Sequence, residues 1–232
     1  MKKPGERSPG RGLKAVPSIS IDAIRRVPPN TGSVGQHQPR DHREMTRHST
    51  SGHALGDVRF REATELDADA IAALHADSWR RHYRGAYLDS YLDGDILPER
   101  RAVWTERLNP PRVNQFTICG DVHGELIGFA HTVYDRDPDW GALLDNLHVR
   151  SDLKRTGIGV HLLSEIAIAL ERDRPSQSLH LWVLDQNTNA QAFYEARGGT
   201  RVETALRGPF PGGGRALGHR YFWPEPGCLV VA

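Results

Sequence analysis

Cysteine is scarce in this chain of 232 residues, and so are long apolar runs. The two cysteines, Cys119 and Cys228, stand in unrelated contexts, which excludes a disulfide framework and a zinc knuckle. No apolar run approaches the roughly 18 residues of a membrane span, and no signal-type apolar segment follows the basic N-terminus. We therefore expect a soluble, cytoplasmic protein without a metal site and without a membrane partner.

Phe, Trp and Tyr are absent from residues 1–56. This segment holds ten Lys or Arg against four Asp or Glu, a net charge of +6, and Pro and Gly interrupt it throughout. With so little apolar surface to bury, such a segment does not offset the entropy that ordering removes. We predict a disordered basic tail. Its charge would allow contact with nucleic acid or an acidic surface, but a tail without such a partner is the favoured interpretation.

Residues 57–232 show regular patterns and the opposite net charge, −5, from 20 Lys or Arg and 25 Asp or Glu. "VRFREA" alternates like a strand, and Thr64 and Asp67 are spaced as a capping box before an amphipathic helix. "FTICGDVHGELIGFAHTVY" predicts two strands around a glycine turn, and "ALLDNLHV" predicts a third strand. One mixed α/β domain over residues 57–232 is therefore expected.

The second half of this domain continues the alternation of strands and helices. Apolar residues at four-residue spacing predict a long helix from Ile158 to Leu170. "LHLWVL" is typical of a buried strand, "NTNAQAFYEARGG" of a short helix that ends at glycine, and "RVETAL" and "GHRYFW" of a final strand pair. The predicted order is β-α-(α)-β-β-β-α-β-α-β-β.

Two glycines one residue apart lie at the predicted start of the long helix. A helix N-terminus presents unpaired N–H groups and a partial positive charge, and glycine lets an anion approach the backbone. The resulting candidate pyrophosphate cradle, called the glycine loop below, comprises Lys154, Arg155, Thr156, Gly157, Ile158 and Gly159. A nucleoside-triphosphate loop would need Gly-Lys-Ser/Thr, and a dinucleotide fingerprint would need glycine at Leu162, so both are excluded.

A second motif follows about 30 residues later and reads Asn187-x-x-Ala190-x-x-Phe193-Tyr194-x-x-x-Gly198-Gly199. Together with Lys154-x-x-Gly157-x-Gly159, it resembles the Gcn5-related N-acetyltransferase superfamily. That superfamily has Gln/Arg-x-x-Gly-x-Gly/Ala as its acetyl-CoA loop and Asn-x-x-Ala-x-x-Phe-Tyr-x-x-x-Gly-Phe as its later signature. The likeness extends over residues 57–223.

The chain departs from these signatures at two positions. Lys154 replaces the usual Gln or Arg, which keeps the charge of an arginine but loses its bidentate geometry. Gly199 replaces the usual phenylalanine, and we expect this change to loosen the next strand without affecting the cofactor.

The resemblance implies a GNAT-like domain, with a central mixed, mostly antiparallel sheet flanked by helices, and acetyl-CoA as the cofactor. It also implies that the amides of residues 155–159 bind the pyrophosphate and that Leu147 and Val149 lie beside the pantetheine arm. The N–H near Val149 would polarise the thioester carbonyl. Asn187 would bond the pantetheine arm or a bridging water, and Tyr194 would protonate the leaving thiolate.

The general base is left open between three alternatives. Asp145 and His148 lie on the strand that enters the glycine loop, where the superfamily often has an acid or a relay group. Residues three apart on a strand face opposite sides, so at most one of these two is expected to face the cleft. An amine that loses its proton to bulk water needs neither.

The residues that would bind the acceptor amine are the ones that the sequence specifies least. Trp79, Tyr83 and Tyr87 recur every four residues, which is more typical of core packing, but the resemblance also makes them candidate walls of the acceptor cleft. The loop "RGPFPGGGR" would lie opposite them, with Arg207 and Arg215 either binding an anion or lying at the surface. The net charge of −5 would suit a cationic acceptor.

These patterns favour an acetyl-CoA-dependent N-acetyltransferase that acts on a primary amine of a small molecule or peptide. The alternative is a catalytically inactive acyl-CoA-binding regulatory module that keeps the glycine loop. A homodimer is expected from the superfamily alone, and nucleic acid is not an expected partner.

Overall fold

The structure is a computed structural model in which residues 55–231 are described. The predicted basic tail, residues 1–56, lies outside the described residues except for Leu55 and Gly56. These two belong to a 3-10 turn, Leu55–Asp57, that leads into the first strand. The Leu55 side chain packs on the main hydrophobic core. Within residues 55–231, no helix has the length and apolar composition that crossing a membrane requires.

Seven strands of the described chain form a single sheet. The strands are β1 (Arg59–Glu62), β2 (Gln115–Val122), β3 (Glu125–Asp137), β4 (Gly141–Val149), β5 (Leu179–Leu184), β6 (Thr200–Arg207) and β7 (Ala216–Trp223). Their spatial order is β1-β2-β3-β4-β5-β7-β6, and every neighbouring pair is antiparallel except β4 and β5. The predicted mixed, mostly antiparallel sheet is therefore confirmed.

Five α-helices flank the sheet in this part of the chain. They are α1 (Ala68–His82), α2 (Asp89–Leu92), α3 (Leu97–Leu108), α4 (Ile158–Asp173) and α5 (Thr188–Ala196). On one face of the sheet, Leu162 of α4 and Tyr194 of α5 join Leu147 and Leu181 of the strands in the main hydrophobic core. On the other face, α1 and α3 pack against each other over smaller apolar clusters.

The predicted capping box before the first helix is confirmed with one difference. Thr64 and Asp67 form the capping box, and Thr64 N donates to Asp67 Oδ2 at 2.7 Å. The box begins a 3-10 turn, Glu65–Asp67, which continues into α1. The helix then ends at His82, and Gly85, with a φ of +82°, lies at the predicted break in the aromatic stripe.

The sequence patterns predicted no bounds for α3. Pro98 occupies its first turn, where the N–H that proline lacks would be unpaired in any residue. Arg100, Trp104 and Leu108 recur every four residues on its buried side. Because an arginine interrupts this stripe, apolar spacing alone does not identify the helix.

The parallel pairing between β4 and β5 is short. Ala142 pairs with Leu179 and Leu143 pairs with His180, and within residues 55–231 no further pair follows. Since β4 continues to Val149 and β5 to Leu184, the strands separate toward their carboxyl ends. We call this opening the β4–β5 gap. Along it, one edge of β4 keeps main-chain groups that no strand satisfies.

A β-bulge interrupts the pairing of β4 with β3. Thr132 pairs with Leu144 and His131 pairs with Asn146, so Asp145 is the extra residue on β4. A bulge of one residue reverses the side of the sheet that the following side chains face, relative to an uninterrupted strand. This shift decides which residues of β4 meet α1 and α3.

Gly199, where the related motif has phenylalanine, packs directly against an indole. A Cβ atom at Gly199 would lie 2.5 Å from Cζ2 of Trp223. The Trp223 side chain is buried, and its Nε1 donates to the carbonyl of Arg197 at 2.9 Å. Trp223 therefore fills the space beside Gly199, and the expectation that Gly199 loosens the next strand stays a prediction.

We predict that Gly199→Ala destabilises the protein by about 1–3 kcal/mol, since the added methyl group would displace a buried indole. Thermal and urea unfolding measure the change. Gly56→Ala is the control, because a Cβ there has no atom within 4 Å, and surface changes of this kind stay within about 0.5 kcal/mol. Equal stability of both variants would show that Trp223 shifts without cost.

Candidate active site

Among the described residues, the start of α4 has a row of amides without acceptors. Gly157 is the N-cap residue of this 16-residue helix. The first amides of the helix with a backbone acceptor are those of Val160 and His161, which both donate to the carbonyl of Gly157. Within residues 55–231, the amides of residues 155–159 have no acceptor. They lie at the positive end of the helix and form a ready binding site for an anion.

The two glycines of the loop contribute in different ways. Gly157 has a φ of +91°, a conformation that residues with a side chain rarely adopt. A Cβ at Gly159 would make ordinary van der Waals contact with Leu147 at 3.7 Å and Phe193 at 3.8 Å, without a clash. Since Phe193 belongs to the second motif, the structure brings the glycine loop and α5 into contact beside β4.

Several predicted cofactor residues can offer only main-chain groups. The side chains of Leu147, Val149 and Ile158 are buried in the main hydrophobic core. The hydroxyl of Thr156 donates to the carbonyl of Leu153 at 2.7 Å and so stabilises the loop itself. The predicted amide cradle is consistent with this arrangement, because it requires the backbone of these residues and not their side chains.

The lysine of the loop contacts α1. Lys154 Nζ lies 3.1 Å from Nε2 of His82. Burial, and then the charge of Lys154, lower the pKa of His82 to about 4, so its neutral ring can accept from the ammonium group. Burial, and then the charge of Arg81, also lower the pKa of Lys154. Arg155 is exposed, and its φ of +67° belongs to the left-handed region.

Helix α5 positions the two polar residues of the second motif. Asn187 is its N-cap, and Asn187 Oδ1 accepts from the amide of Ala190 at 3.1 Å. Tyr194 is 1% exposed, and within residues 55–231 its hydroxyl has no hydrogen-bond partner. Burial raises the pKa of Tyr194 well above its usual value. The phenol therefore keeps its proton at neutral pH and is not tethered to the backbone.

Asp145 and His148 face the same side of the sheet. Asp145 Oδ2 accepts from Nη2 of Arg107 on α3 at 2.7 Å, and His148 Nδ1 lies 2.8 Å from the hydroxyl of Ser78 on α1. The expectation that these two residues face opposite sides of the sheet is wrong, and which of them faces the cleft stays a prediction. That expectation assumed unbroken alternation along β4, and the bulge at Asp145 breaks that alternation.

Three buried histidines lie against α1 and α3. The Nδ1 atom of each histidine contacts one polar group. His75 Nδ1 accepts from Trp104 Nε1 at 3.0 Å. His131 Nδ1 lies 2.7 Å from Thr117 Oγ1, and His148 Nδ1 lies 2.8 Å from Ser78 Oγ. Burial lowers the pKa of His131 and of His148 to about 3, and it lowers the pKa of His75 well below the usual range. All three rings are therefore neutral at physiological pH.

The predicted acceptor residues form a closed aromatic cluster, which we define as Trp79, Tyr83, Tyr87 and Phe210. The first three are 1%, 1% and 4% exposed. Phe210, from the loop between β6 and β7, stacks on Tyr87 with ring centroids 4.9 Å apart. The structure therefore shows core packing of the stripe, and contact of these residues with an acceptor stays a prediction.

The two arginines of the β6–β7 loop differ in their surroundings. The Arg207 guanidinium lies 4.0 Å over the ring of Trp182, and burial lowers the pKa of Arg207. Arg215 is exposed. One arginine is thus part of the packing, while the other is a surface charge, as the sequence analysis allowed for.

Sequence reasoning missed the polar residues that α1 and α3 contribute to this side of the sheet. They are His75, Ser78, His82, Arg100 and Arg107. Their spacing was the available signal, because positions 75, 78, 79 and 82, and positions 100, 104 and 107, share one helix face. A polar side chain on an otherwise apolar face indicates a buried partner.

Comparisons with known proteins agree with the geometry. The model of a family described as "Acetyltransferase (GNAT) family" matches residues 70–199. A probable N-acetyltransferase of Mycobacterium tuberculosis is 30% identical over 146 residues, which cover 60% of this chain and 78% of that protein. The uncharacterised N-acetyltransferase YuaI of Bacillus subtilis is 29% identical over 147 residues, which cover 62% of this chain and 82% of YuaI.

Solved structures show the same fold. The PaiA N-acetyltransferase of Thermoplasma acidophilum, in complex with coenzyme A, has a TM-score of 0.57 at 18% identity and covers 70% of this chain and 97% of its own. YncA of Salmonella typhimurium, solved with its cofactor acetyl-CoA, has a TM-score of 0.55 at 16% identity and covers 72% of this chain and 93% of its own.

We predict that acidification below about pH 6.5 destabilises the protein, because the buried histidines are neutral when folded but take up a proton when unfolded. Above that pH the imidazole rings are neutral in both the folded and the unfolded state, so they do not make the free energy of unfolding depend on pH. Stability is lost as the pH falls toward the folded-state pKa of about 3 for His131 and His148. In this range the free energy of unfolding should fall by about 1.4 kcal/mol per pH unit for each buried histidine.

Urea unfolding at about pH 7.5 and about pH 5 measures this loss. His131→Asn should reduce the dependence on pH relative to the unchanged protein. His123→Asn is the matched control, because His123 is exposed in the turn between β2 and β3. The same pH dependence in His131→Asn as in the unchanged protein would contradict a neutral buried ring.

Proposed function

Because this chain belongs to the GNAT acetyltransferase family, a family of acyltransferases, we propose that it transfers an acetyl group from acetyl-CoA to a primary amine of a small molecule or peptide. The observation that supports this most directly is the row of amides at residues 155–159 without an acceptor in the described chain. The pyrophosphate of coenzyme A has the acceptor oxygens that these donors lack.

The residues present fit an acyl-CoA. Gly157 and Gly159 leave the backbone accessible, and the β4 edge along the β4–β5 gap can pair with an extended arm as a strand would. Asn187 lies at the adjacent start of α5. When bound, acetyl-CoA supplies an acetyl group that is already activated as a thioester.

In this proposal the chain contributes binding, orientation and one proton. The amides of residues 155–159 bind the pyrophosphate, and the main chain of Leu147 and Val149 orients the arm. An N–H near Val149 polarises the carbonyl that is attacked. Tyr194, whose pKa burial raises, donates its proton to the leaving sulfur as the C–S bond breaks. The attacking nitrogen releases a proton to water as the amide forms, and water returns a proton to Tyr194.

Both candidate bases are held by neighbouring side chains. Asp145 Oδ2 is paired with Nη2 of Arg107 at 2.7 Å, and His148 Nδ1 lies 2.8 Å from the hydroxyl of Ser78. Burial lowers the pKa of His148 to about 3. We therefore propose that the amine loses its proton to water on entry, while Asp145 and His148 shape the side of the cleft that α1 and α3 cover.

We predict that Gly157→Ala weakens acetyl-CoA binding by about tenfold or more, because a side chain at a φ of +91° costs about 1–2 kcal/mol and shifts the amides. Calorimetric titration with acetyl-CoA measures the affinity. Gly124→Ala is the matched control, since Gly124 has a φ of +83° and open space but lies in the turn between β2 and β3. Equal affinity in both variants would argue against the amide cradle.

We predict that Tyr194→Phe lowers kcat by about 10²-fold to 10⁴-fold without changing acetyl-CoA affinity, because the variant loses the proton donor. The assay follows release of the CoA thiol over a panel of primary amines. Tyr221→Phe is the control, since Tyr221 lies next to Tyr194 but donates to Glu195 at 2.7 Å. Tight acetyl-CoA binding with no turnover of any amine would instead favour the regulatory module.

A further inference from the structure

A buried arginine at the α3 end of the aromatic cluster has open donors. The Arg100 side chain is 1% exposed, and its Nη2 donates to Oε1 of Glu99 at 2.7 Å. Within residues 55–231, its Nε and Nη1 have no hydrogen-bond partner. An arginine stays charged in proteins, so burying it with open donors is costly unless an acceptor binds there.

The groups beside Arg100 are donors as well. Its Cζ lies 4.2 Å from the ring centroid of Trp79, whose Nε1 has no partner in the described chain. The ring of His75 lies 4.7 Å from that of Trp79, and its Nε2 also has no partner there. Because His75 Nδ1 accepts from Trp104, Nε2 carries the hydrogen of the neutral ring. Three neighbouring side chains thus present donors without acceptors.

The nearby carboxylates leave this excess of donors uncompensated. Asp145 is bound to Arg107 at 2.7 Å. The Glu99 carboxylate accepts hydrogen bonds from Nη2 of Arg100 and from the hydroxyl of Tyr91, and the Glu99 side chain is 46% exposed. Glu99 and Tyr91 therefore form the side of this region that solvent reaches. What the site lacks is one more compact acceptor group with negative charge.

The position of Arg100 indicates which molecule would bring that group. Arg100 belongs to the layer that covers the same face of the sheet as Asp145 and His148, next to Trp79. In the proposed reaction the acceptor amine must reach β4 from this face. We propose that Arg100 binds a carboxylate carried by the acceptor, so that the substrates are amino-carboxylates such as free amino acids. This inference rests on the proposed acetyl transfer.

A carboxylate fits better than a phosphate or a cation. A single guanidinium next to the negative charge of Glu99 favours one negative charge over two. The net charge of −5 on residues 57–232 acts at long range and is screened by salt, whereas Arg100 acts at contact. The acceptor therefore need not be cationic as a whole.

Matched amines test the proposal on the unchanged protein. Each set contains an amino acid, its carboxamide, the amine without the carboxyl group, and the aminophosphonate, all assayed by release of the CoA thiol. We expect the amino acid to be preferred over its carboxamide and over the phosphonate by about 30-fold to 100-fold in kcat/KM, the value of one charged hydrogen bond. No preference for the carboxylate would overturn the proposal.

Substitutions at position 100 test whether the Arg100 side chain binds the carboxylate. Arg100→Gln should raise KM for the amino acid by about 30-fold to 100-fold more than it raises KM for the uncharged amine. Arg100→Lys should restore part of the affinity, since it restores the charge. Arg101→Gln is the matched control, because Arg101 is the next residue on α3, half-exposed, and pairs with Asp69 at the surface. An equal loss for charged and uncharged amines would mean that Arg100 only supports the fold.

A binding measurement separates this proposal from the proposed function. Calorimetry of the unchanged protein with coenzyme A, titrated with the amino acid and then with its carboxamide, needs no turnover. Carboxylate-dependent binding without turnover would support the site and contradict the acetyl transfer. Turnover of amines without carboxylate-dependent binding would support the acetyl transfer and contradict the site. Density for water alone on Nε and Nη1 of Arg100, in crystals with saturating amino acid, would also overturn it.

Discussion

The early end of the pairing between β4 and β5 is the constraint on which the rest of this structure depends. Each of the two strands has a full antiparallel partner on its other side, β3 for β4 and β7 for β5. Within the part of the chain that the structure describes, the sheet therefore consists of two halves that meet at two residue pairs. The two faces of the sheet hold different candidate site residues, Tyr194 on one face and Asp145 and His148 on the other.

The bulge at Asp145 determines the chemistry of the face that α1 and α3 cover. By adding one residue to β4, it turns Asp145 toward Arg107 while His148 still reaches Ser78. A polar layer thus lies inside the protein where an apolar core would be the simpler solution. In this layer burial keeps the imidazoles neutral, and the arginines supply the positive charge.

The sequence predicted those features that depend on side-chain spacing or on glycine. The strands and the long helix followed from apolar periodicity, and the glycine loop followed from Gly157 and Gly159, because a backbone that must be accessible requires these residues. The bulge at Asp145 could not be predicted, since a one-residue shift leaves no pattern in a strand of mixed residues. The helix spacing of the polar residues on α1 and α3 indicates only that they are buried. Their assembly into one polar layer with residues of β4 could not be predicted, because these elements are distant in the chain. The roles of the site residues remain predictions.

The contact between Gly199 and Trp223 also limits how this chain can change over evolutionary time. Because one indole occupies the volume beside a residue without a side chain, the two positions share a single space. A larger residue at 199 is compatible with this backbone only after 223 has become smaller, so the order of the two substitutions matters. A side chain at 199 and an indole at 223 therefore exclude each other in this backbone.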